Sequence, residues 1–358
     1  VPGVQNWGSD DFLQVSDLDV EPTSSGNFSI ALDFGANIST NAGHVVGSDI
    51  QVGASNFQLL KGDVLVSINE NSALLTSAST AIYPGFTNNL TVTKEDVFVF
   101  RPDSPGDYSS GTFALLLDDP VGANIRGISL VENDTTVGDY TVRAGDFLFT
   151  RSSPSAHSDV WLFRTGDVGA NNTSGLDDVL VDGSNVNVGI SDKLYSIELL
   201  EKATSIGGRV FAAGTLLSTI DSTTPVSVGG GATPATVRNT DVFALDVSGT
   251  ELGGGAGASS ATAERIFEGA DVSLLGNPES IEALSLVVSS SNTAPTIGGT
   301  ATGIPVNDNA TVAPFSAVTI SDPDVGNVTV EVQLDFPAQG TLAGGSFTDL
   351  GGGHYQFT

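Results

Sequence analysis

The chain has no cysteine and no methionine in its 358 residues. The first absence excludes disulfides, thiolate metal sites and a thiol nucleophile. The second removes any initiator residue, so the sequence is expected to be a processed product or an excerpt. Basic residues are scarce, 12 Lys and Arg against 42 Asp and Glu, for a net charge of −30. That leaves few cations to clamp a phosphoryl group. The negative field repels nucleic-acid backbones and anionic lipid, so no nucleic-acid partner is expected. No run approaches the roughly 18 apolar residues of a membrane helix, and no signal peptide precedes Val1; membrane insertion is not expected. The three histidines, His44, His157 and His354, are far apart, and no HExxH, G-x-S-x-G or P-loop occurs. No catalytic residue is assigned. A carboxylate pair for glycoside hydrolysis assembles only in three dimensions, so that chemistry stays open.

What is abundant is strand and turn material: 39% hydrophobic residues and 43 glycines, with much Ser, Thr, Asn, Asp and Val. Three segments repeat one pattern: VTKEDVFVF at Val92–Phe100, VRAGDFLFT at Val142–Thr150 and VRNTDVFAL at Val237–Leu245. Asp96 to Asp146 is 50 residues and Asp146 to Asp241 is 95, near one and two units. A second element follows, FALLLDDPVG at Phe113–Gly122 and WLFRTGDVG at Trp161–Gly169, with a looser copy at Phe267–Leu274. Apolar segments come next, Gly127-Ile128-Ser129-Leu130 after the first and Ile281-Glu282-Ala283-Leu284-Ser285-Leu286 after the third. Runs such as Val97–Phe100 are apolar on both faces, which requires cover on both sides of the sheet. Only Leu194–Ile206 and Thr262–Gly269 read as helical, so stacked sheets must supply that cover. Four strands in about 48 residues match a propeller blade. Residues 1–290 are therefore expected to form a repeat-built, β-propeller-like domain of about six blades, with a β-sandwich pair as the alternative. Asp96, Asp146 and Asp241 are expected at equivalent strand entries, capping turns.

Residues 291–296 read as a linker, and 297–358 as short strands punctuated by proline, a partial Ig-like sandwich. The chain as a whole is thus expected to be all-β. The stretches Asn292–Thr296, Val306–Ala310, Val318–Gly326 and Gly351–Thr358 resemble the cadherin-like tandem repeats of giant bacterial cell-surface adhesins. The resemblance covers about a fifth of the chain, and implies secretion and Ca²⁺ bound within or between modules. The D-V-F-x-F and D-V-G pieces of residues 60–290 are similar to a repeat region of large bacterial extracellular proteins that carry such modules. The nonapeptide Ca²⁺ repeats that often end those adhesins are absent.

Excess carboxylate suits a hard cation, and Ca²⁺ is the expected one. Asp322 and Asp324 flank Pro323, which holds the loop extended so that both carboxylates present together. Asp308 lies between two asparagines. Asp118 and Asp119 end an apolar strand, and Asp177 and Asp178 lie in GLDDVLVDG. These seven are the candidate metal ligands. The reading is a secreted, cell-surface adhesive or structural protein that binds extracellular carbohydrate, a protein surface or copies of itself. The alternatives are a secreted hydrolase of polysaccharides or esters and a subunit of a filament or surface layer.

Overall fold

The computed structural model describes the chain apart from residues 1–10, 20–22, 35–37, 153–156, 231–233, 254–257, 275–279, 288–295, 300–301, 308–309, 322–329, 344–346 and 358. It is all-β, 49% strand, with no α-helix among the described residues. Two compact units divide it, Val1–Val287 and Val288–Thr358.

The first unit is built on three four-stranded antiparallel sheets. The first sheet contains β1 (Thr40–Val45), β2 (Val64–Ile68), β3 (Val97–Ser104) and β4 (Asp107–Leu117). The second contains β5 (Ile125–Leu130), β6 (Phe147–Arg151), β7 (Val160–Asp167) and β8 (Ser174–Val181). The third contains β9 (Leu194–Leu199), β10 (Leu216–Ile220), β11 (Val242–Gly249) and β12 (Ser260–Phe267). In each, spatial order follows chain order. Register repeats too: Val64 opposes Phe100, Phe147 opposes Phe163, and Leu216 opposes Leu245. The sheets differ between their second and third strands. The first inserts the hairpin Ala73–Thr76/Asn89–Val92 and the third the hairpin Val226–Val228/Ala235–Val237, but only residues 152–159 separate β6 from β7.

Burial on both faces follows from how the sheets pack. Alternate residues point to opposite faces of a strand. In β3, Val97 and Val99 join the core shared with the second sheet, while Phe98 and Phe100 join a core on the other side with Leu32. In β6, Phe147 and Phe149 face the first sheet's core and Leu148 the third's. In β11, Phe243 and Leu245 face the second sheet, and Ala244 packs with Leu284 and Leu286 of the segment 281–286.

Four strand entries are locked by a carboxylate. The Oδ2 atoms of Asp63, Asp96, Asp146 and Asp241 accept the N–H of Leu60, Thr93, Arg143 and Arg238, three residues upstream, at 2.9, 2.7, 3.3 and 3.0 Å. Each Asp N–H returns to the carbonyl of that residue at 3.0–3.1 Å. This is the capping behaviour expected of aspartate at turns. Before the second strand, the residue preceding the lock is Gly62, Gly145 or Gly214, with φ of 92°, 91° and 88°. Side chains with a Cβ rarely adopt that conformation.

Several expectations are corrected. Among the described residues there are three four-stranded sheets, where about six blades were expected. Asp96 and Asp241 both enter a third strand, but Asp146 enters a second; its equivalents are Asp63 and Thr215. The third-strand place in the second sheet belongs to Asp159. Residues 194–206 and 262–269, read as helical, contain β9, the strand Thr204–Ile206 and β12 instead. β9 is buried on both faces, whereas β12 alternates over its first residues, with Thr262 and Glu264 exposed.

Over its described residues, the second unit pairs Thr296–Gly298 with Thr319–Ser321, and sets Val330–Gln333, His354–Phe357 and Thr348–Gly351 in a three-stranded sheet. Tyr355 is its one buried hydrophobic side chain among those residues, while Ile297, Phe336 and Leu350 are exposed.

Register also explains a residue pattern across the repeats. Asp63 pairs with Arg101 of β3 at 2.6 Å, with the ion pair buried. Arg164 of β7 stands at the matching place and lowers the proton affinity of Asp146, which burial raises. In the third sheet Asp246 takes the arginine's place, and the entry residue is Thr215, which has no charge. We therefore expect Thr215→Asp to destabilise the chain by about 1–3 kcal/mol, the cost of a buried group left without its partner. Adding Asp246→Arg is expected to recover part of that loss. Urea unfolding of both single variants and the double tests this: strictly additive effects would show that the two places do not interact.

Candidate functional site

The candidate site lies where the first strands of the three sheets meet. Equivalent places in the three sheets are marked by one backbone hydrogen bond from the end of the first strand to the entry of the second: Val46 to Asp63, Val131 to Asp146 and Leu200 to Thr215, each 2.8–2.9 Å from N to O. Two residues before each donor stand His44, Ser129 and Glu198; one residue after stand Gly47, Glu132 and Glu201. A close approach permits this meeting. A Cβ on Gly127 of β5 would sit 2.7 Å from the Tyr195 carbonyl oxygen of β9, so only glycine fits there without displacing backbone.

At the first level His44 Nδ1 lies 3.0 Å from Glu198 Oε2, and Ser129 Oγ accepts the Leu199 N–H at 3.1 Å. At the next level each glutamate reaches back one sheet. Glu132 accepts the Gly47 N–H at 2.5 Å and the Ser48 hydroxyl at 2.6 Å. Glu201 accepts the Glu132 N–H and, at 2.8 Å, the Asn133 side-chain amide. His44 Nε2 stands 3.7 Å from Glu132 Oε1, an ion-pair distance too long for a hydrogen bond. The side chains of His44 and Glu198 are each 6% exposed, and that of Glu132 is 11% exposed.

Burial alone would push the His44 pKa down. The charge of Glu198 and the contacts with Glu132 outweigh it, and the pKa rises to about 9. Glu132 is held below the usual carboxylate range: burial opposes this, but His44, Ser48 and the Gly47 amide prevail. Glu201 is raised, chiefly by burial. The node is thus one imidazolium among three carboxylates, charge-paired and closed in by strands.

The segment 281–286 enters the same node as a copy of a first strand. Ile281 N–H bonds the carbonyl of Asn239 at 2.9 Å, as Ile125 bonds Lys94 and Leu194 bonds His157. Leu286 N–H donates to Glu198 Oε1 at 3.1 Å, and Val45 N–H donates to Ser285 Oγ at 2.9 Å. These contacts repeat the one from Leu199 to Ser129, each one strand further on.

Four of the predicted metal ligands lie elsewhere. Asp118 Oδ2 accepts the Asn171 N–H at 2.9 Å, and Asp119 Oδ1 accepts the Gly122 N–H at 2.9 Å, so both stabilise turns. Asp177 pairs with Arg151 at 3.0 Å, and Asp178 pairs with Arg164. Among the described residues no three His, Cys, Asp or Glu side chains converge on a point fit for a metal. Asp308, Asp322 and Asp324 lie outside the described residues.

Two features escaped the sequence reading. The first is Asp159, whose pKa is pushed to about 6 by burial and then by the charge of Asp182. Its Oδ1 accepts the Gly183 N–H at 3.1 Å, just as Asp96 accepts Asp119 and Asp241 accepts Gly269. The signal was legible as D-V-[FW], shared by Asp96, Asp159 and Asp241, while G-D marks Asp63 and Asp146. The second is the node, whose members have no common motif. No protein-family model, curated protein or solved structure matches the chain.

The sign of the pH dependence follows from His44. A folded pKa of about 9 against 6.5 in the free side chain means that its contribution is complete below pH 6.5 and lost as pH rises through 9. Melting temperature is expected to fall across that window. His44→Ala should lower stability by about 3–5 kcal/mol at neutral pH, because it leaves buried carboxylates unpaired, and should flatten the decline between pH 6.5 and 9. A wild-type decline of the same size in the variant would assign the pH dependence to another group.

Proposed function

We propose that this chain is a rigid structural or adhesive module of a secreted, cell-surface protein, stiffened by Ca²⁺. It would engage extracellular carbohydrate, a protein surface or further copies of itself. The observation that carries this reading is how the charges are used. Most of the few basic side chains are committed to ion pairs, such as Arg101–Asp63, Arg143–Asp134, Arg209–Glu264 and Arg265–Glu268. Buried carboxylates such as Asp63, Asp96, Asp241 and Glu198 are met by backbone amides, Arg101 and His44. The remaining acidic excess of a −30 chain faces solvent, where it favours hard cations and disfavours polyanions.

On this reading the first unit is propeller-like, with an inner circle of four strands: β1, β5, β9 and 281–286. The repetition of one hydrogen-bond pattern around the node supports it. The second unit is read as part of a cadherin-like module, on the sequence resemblance and its short antiparallel strands. The hydrolase alternative draws on one observation, the raised pKa of Asp159 beside Asp182. Asp159 also accepts the backbone amide of Gly183, which gives it a structural task.

The test is thermal unfolding in millimolar Ca²⁺, in Mg²⁺ and in EDTA at equal ionic strength. A cation that binds only the folded chain stabilises it by about 2.7 kcal/mol at one hundred times its Kd. We expect a rise in Tm with Ca²⁺, diminished in the pair Asp322→Ala and Asp324→Ala. Identical melting in all three buffers would remove Ca²⁺ from the proposal. Beads coated with the chain should be retained on polysaccharide or on chain-coated surfaces. Turnover of a glycoside or ester, abolished by Asp159→Asn, would replace the adhesive reading with the hydrolase.

A further inference from the structure

The segment 281–286 differs from the other three inner strands in one respect. β1, β5 and β9 each pair along their length with a second strand, β2, β6 and β10. Among the described residues the segment 281–286 pairs into no sheet. Its end contacts are Ile281 with Asn239, the Thr219 hydroxyl with the Ile281 carbonyl, Ser285 with Val45 and Leu286 with Glu198. It nevertheless covers the apolar face of the third sheet, with Ile281, Leu284 and Leu286 packed against Leu217, Ala244 and Ile266. A covering strand without a ladder partner is held chiefly by those few contacts and by apolar packing.

Two of its anchors converge on one ion pair. The Glu198 carboxylate holds His44 Nδ1 on Oε2 and the Leu286 N–H on Oε1. The adjacent residue on each side is the second anchor, Val45 beside His44 and Ser285 beside Leu286. We propose that 281–286 is a latch strand locked by the His44 cation, and that loss of the His44 proton releases it and uncovers the third sheet's apolar face. The charged groups facing His44 are Glu198 from the end of β9 and Glu132 just beyond β5; Glu201 meets Glu132 through its backbone amide. The latch's own acid, Glu282, lies at its other end, where its charge reaches Tyr195. With His44 neutral, Glu198 and Glu132 share a buried site without a cation. A buried carboxylate left without its cation turns toward solvent, and that weakens the bond of Glu198 to Leu286. The direction agrees with the raised proton affinity of His44.

Hydrogen–deuterium exchange of the full chain tests this, with rates corrected for the intrinsic effect of pH and β6 as internal reference. From pH 7 to pH 10 we expect protection in the peptide spanning 281–286 to fall about tenfold or more, as in a local opening, while β6 stays protected. His44→Gln, which keeps a side-chain N–H donor but carries no charge, should show the fast latch exchange at pH 7 and no further pH response. If that variant does not fold, Ser285→Ala serves: it removes one anchor and should move the opening to lower pH. Equal latch protection at pH 7 and 10 overturns the proposal. So does loss of β6 protection in step with the latch, which marks global unfolding, or wild-type latch protection in His44→Gln.

Discussion

The structure turns on one buried ion pair. His44 and Glu198 come from the first strands of the first and third sheets and meet at 3.0 Å, almost out of contact with water. Such a pair is weak evidence for stability as such, because both charges lose their hydration. Its value lies in position: it fixes which strands approach and at what register. Ser129, Glu132 and Glu201 continue the same pattern from sheet to sheet. Gly127 permits the approach, since any side chain there would collide with β9.

Away from the node, hydrophobic burial supplies the bulk of the stabilisation, and the aspartates determine where it begins. Each lock fixes a turn and then lets an apolar strand run between two cores. The third-strand locks also reach across to the residue two beyond the fourth strand, at Asp119, Gly183 and Gly269. One carboxylate thus ties the start of one strand to the end of its neighbour. Acidic residues in this chain have two distinct tasks: a buried set bonds backbone amides, and an exposed set gives the molecule its field.

That division bears on function. The acids that stood out in the sequence, Asp118, Asp119, Asp177 and Asp178, turn out to serve turns and arginines. The acids placed to respond to conditions, Glu132 and Asp159, were inconspicuous in the chain. The proposed cation binding therefore rests on the exposed excess and on the C-terminal unit, and the pH response on the node.

The sequence by itself determined the class of fold and its local grammar. Two-faced apolar runs without helices demanded covered sheets. The capping of Asp96, Asp146 and Asp241 followed from the side chain's own chemistry. The kinship of Gly127–Leu130 with Ile281–Leu286 was also visible. Tertiary structure decided the period and the site. The second sheet has no hairpin between β6 and β7, so the spacing between lock residues is 33, 13 and 26 residues in the three sheets. Counting along the chain therefore matched a second-strand lock, Asp146, to third-strand locks. Loops vary in length at small cost, whereas strand register does not, because a one-residue slip turns an apolar face to solvent. His44 and Glu198 are 154 residues apart. No local pattern relates them, and only the packing of three first strands makes them partners.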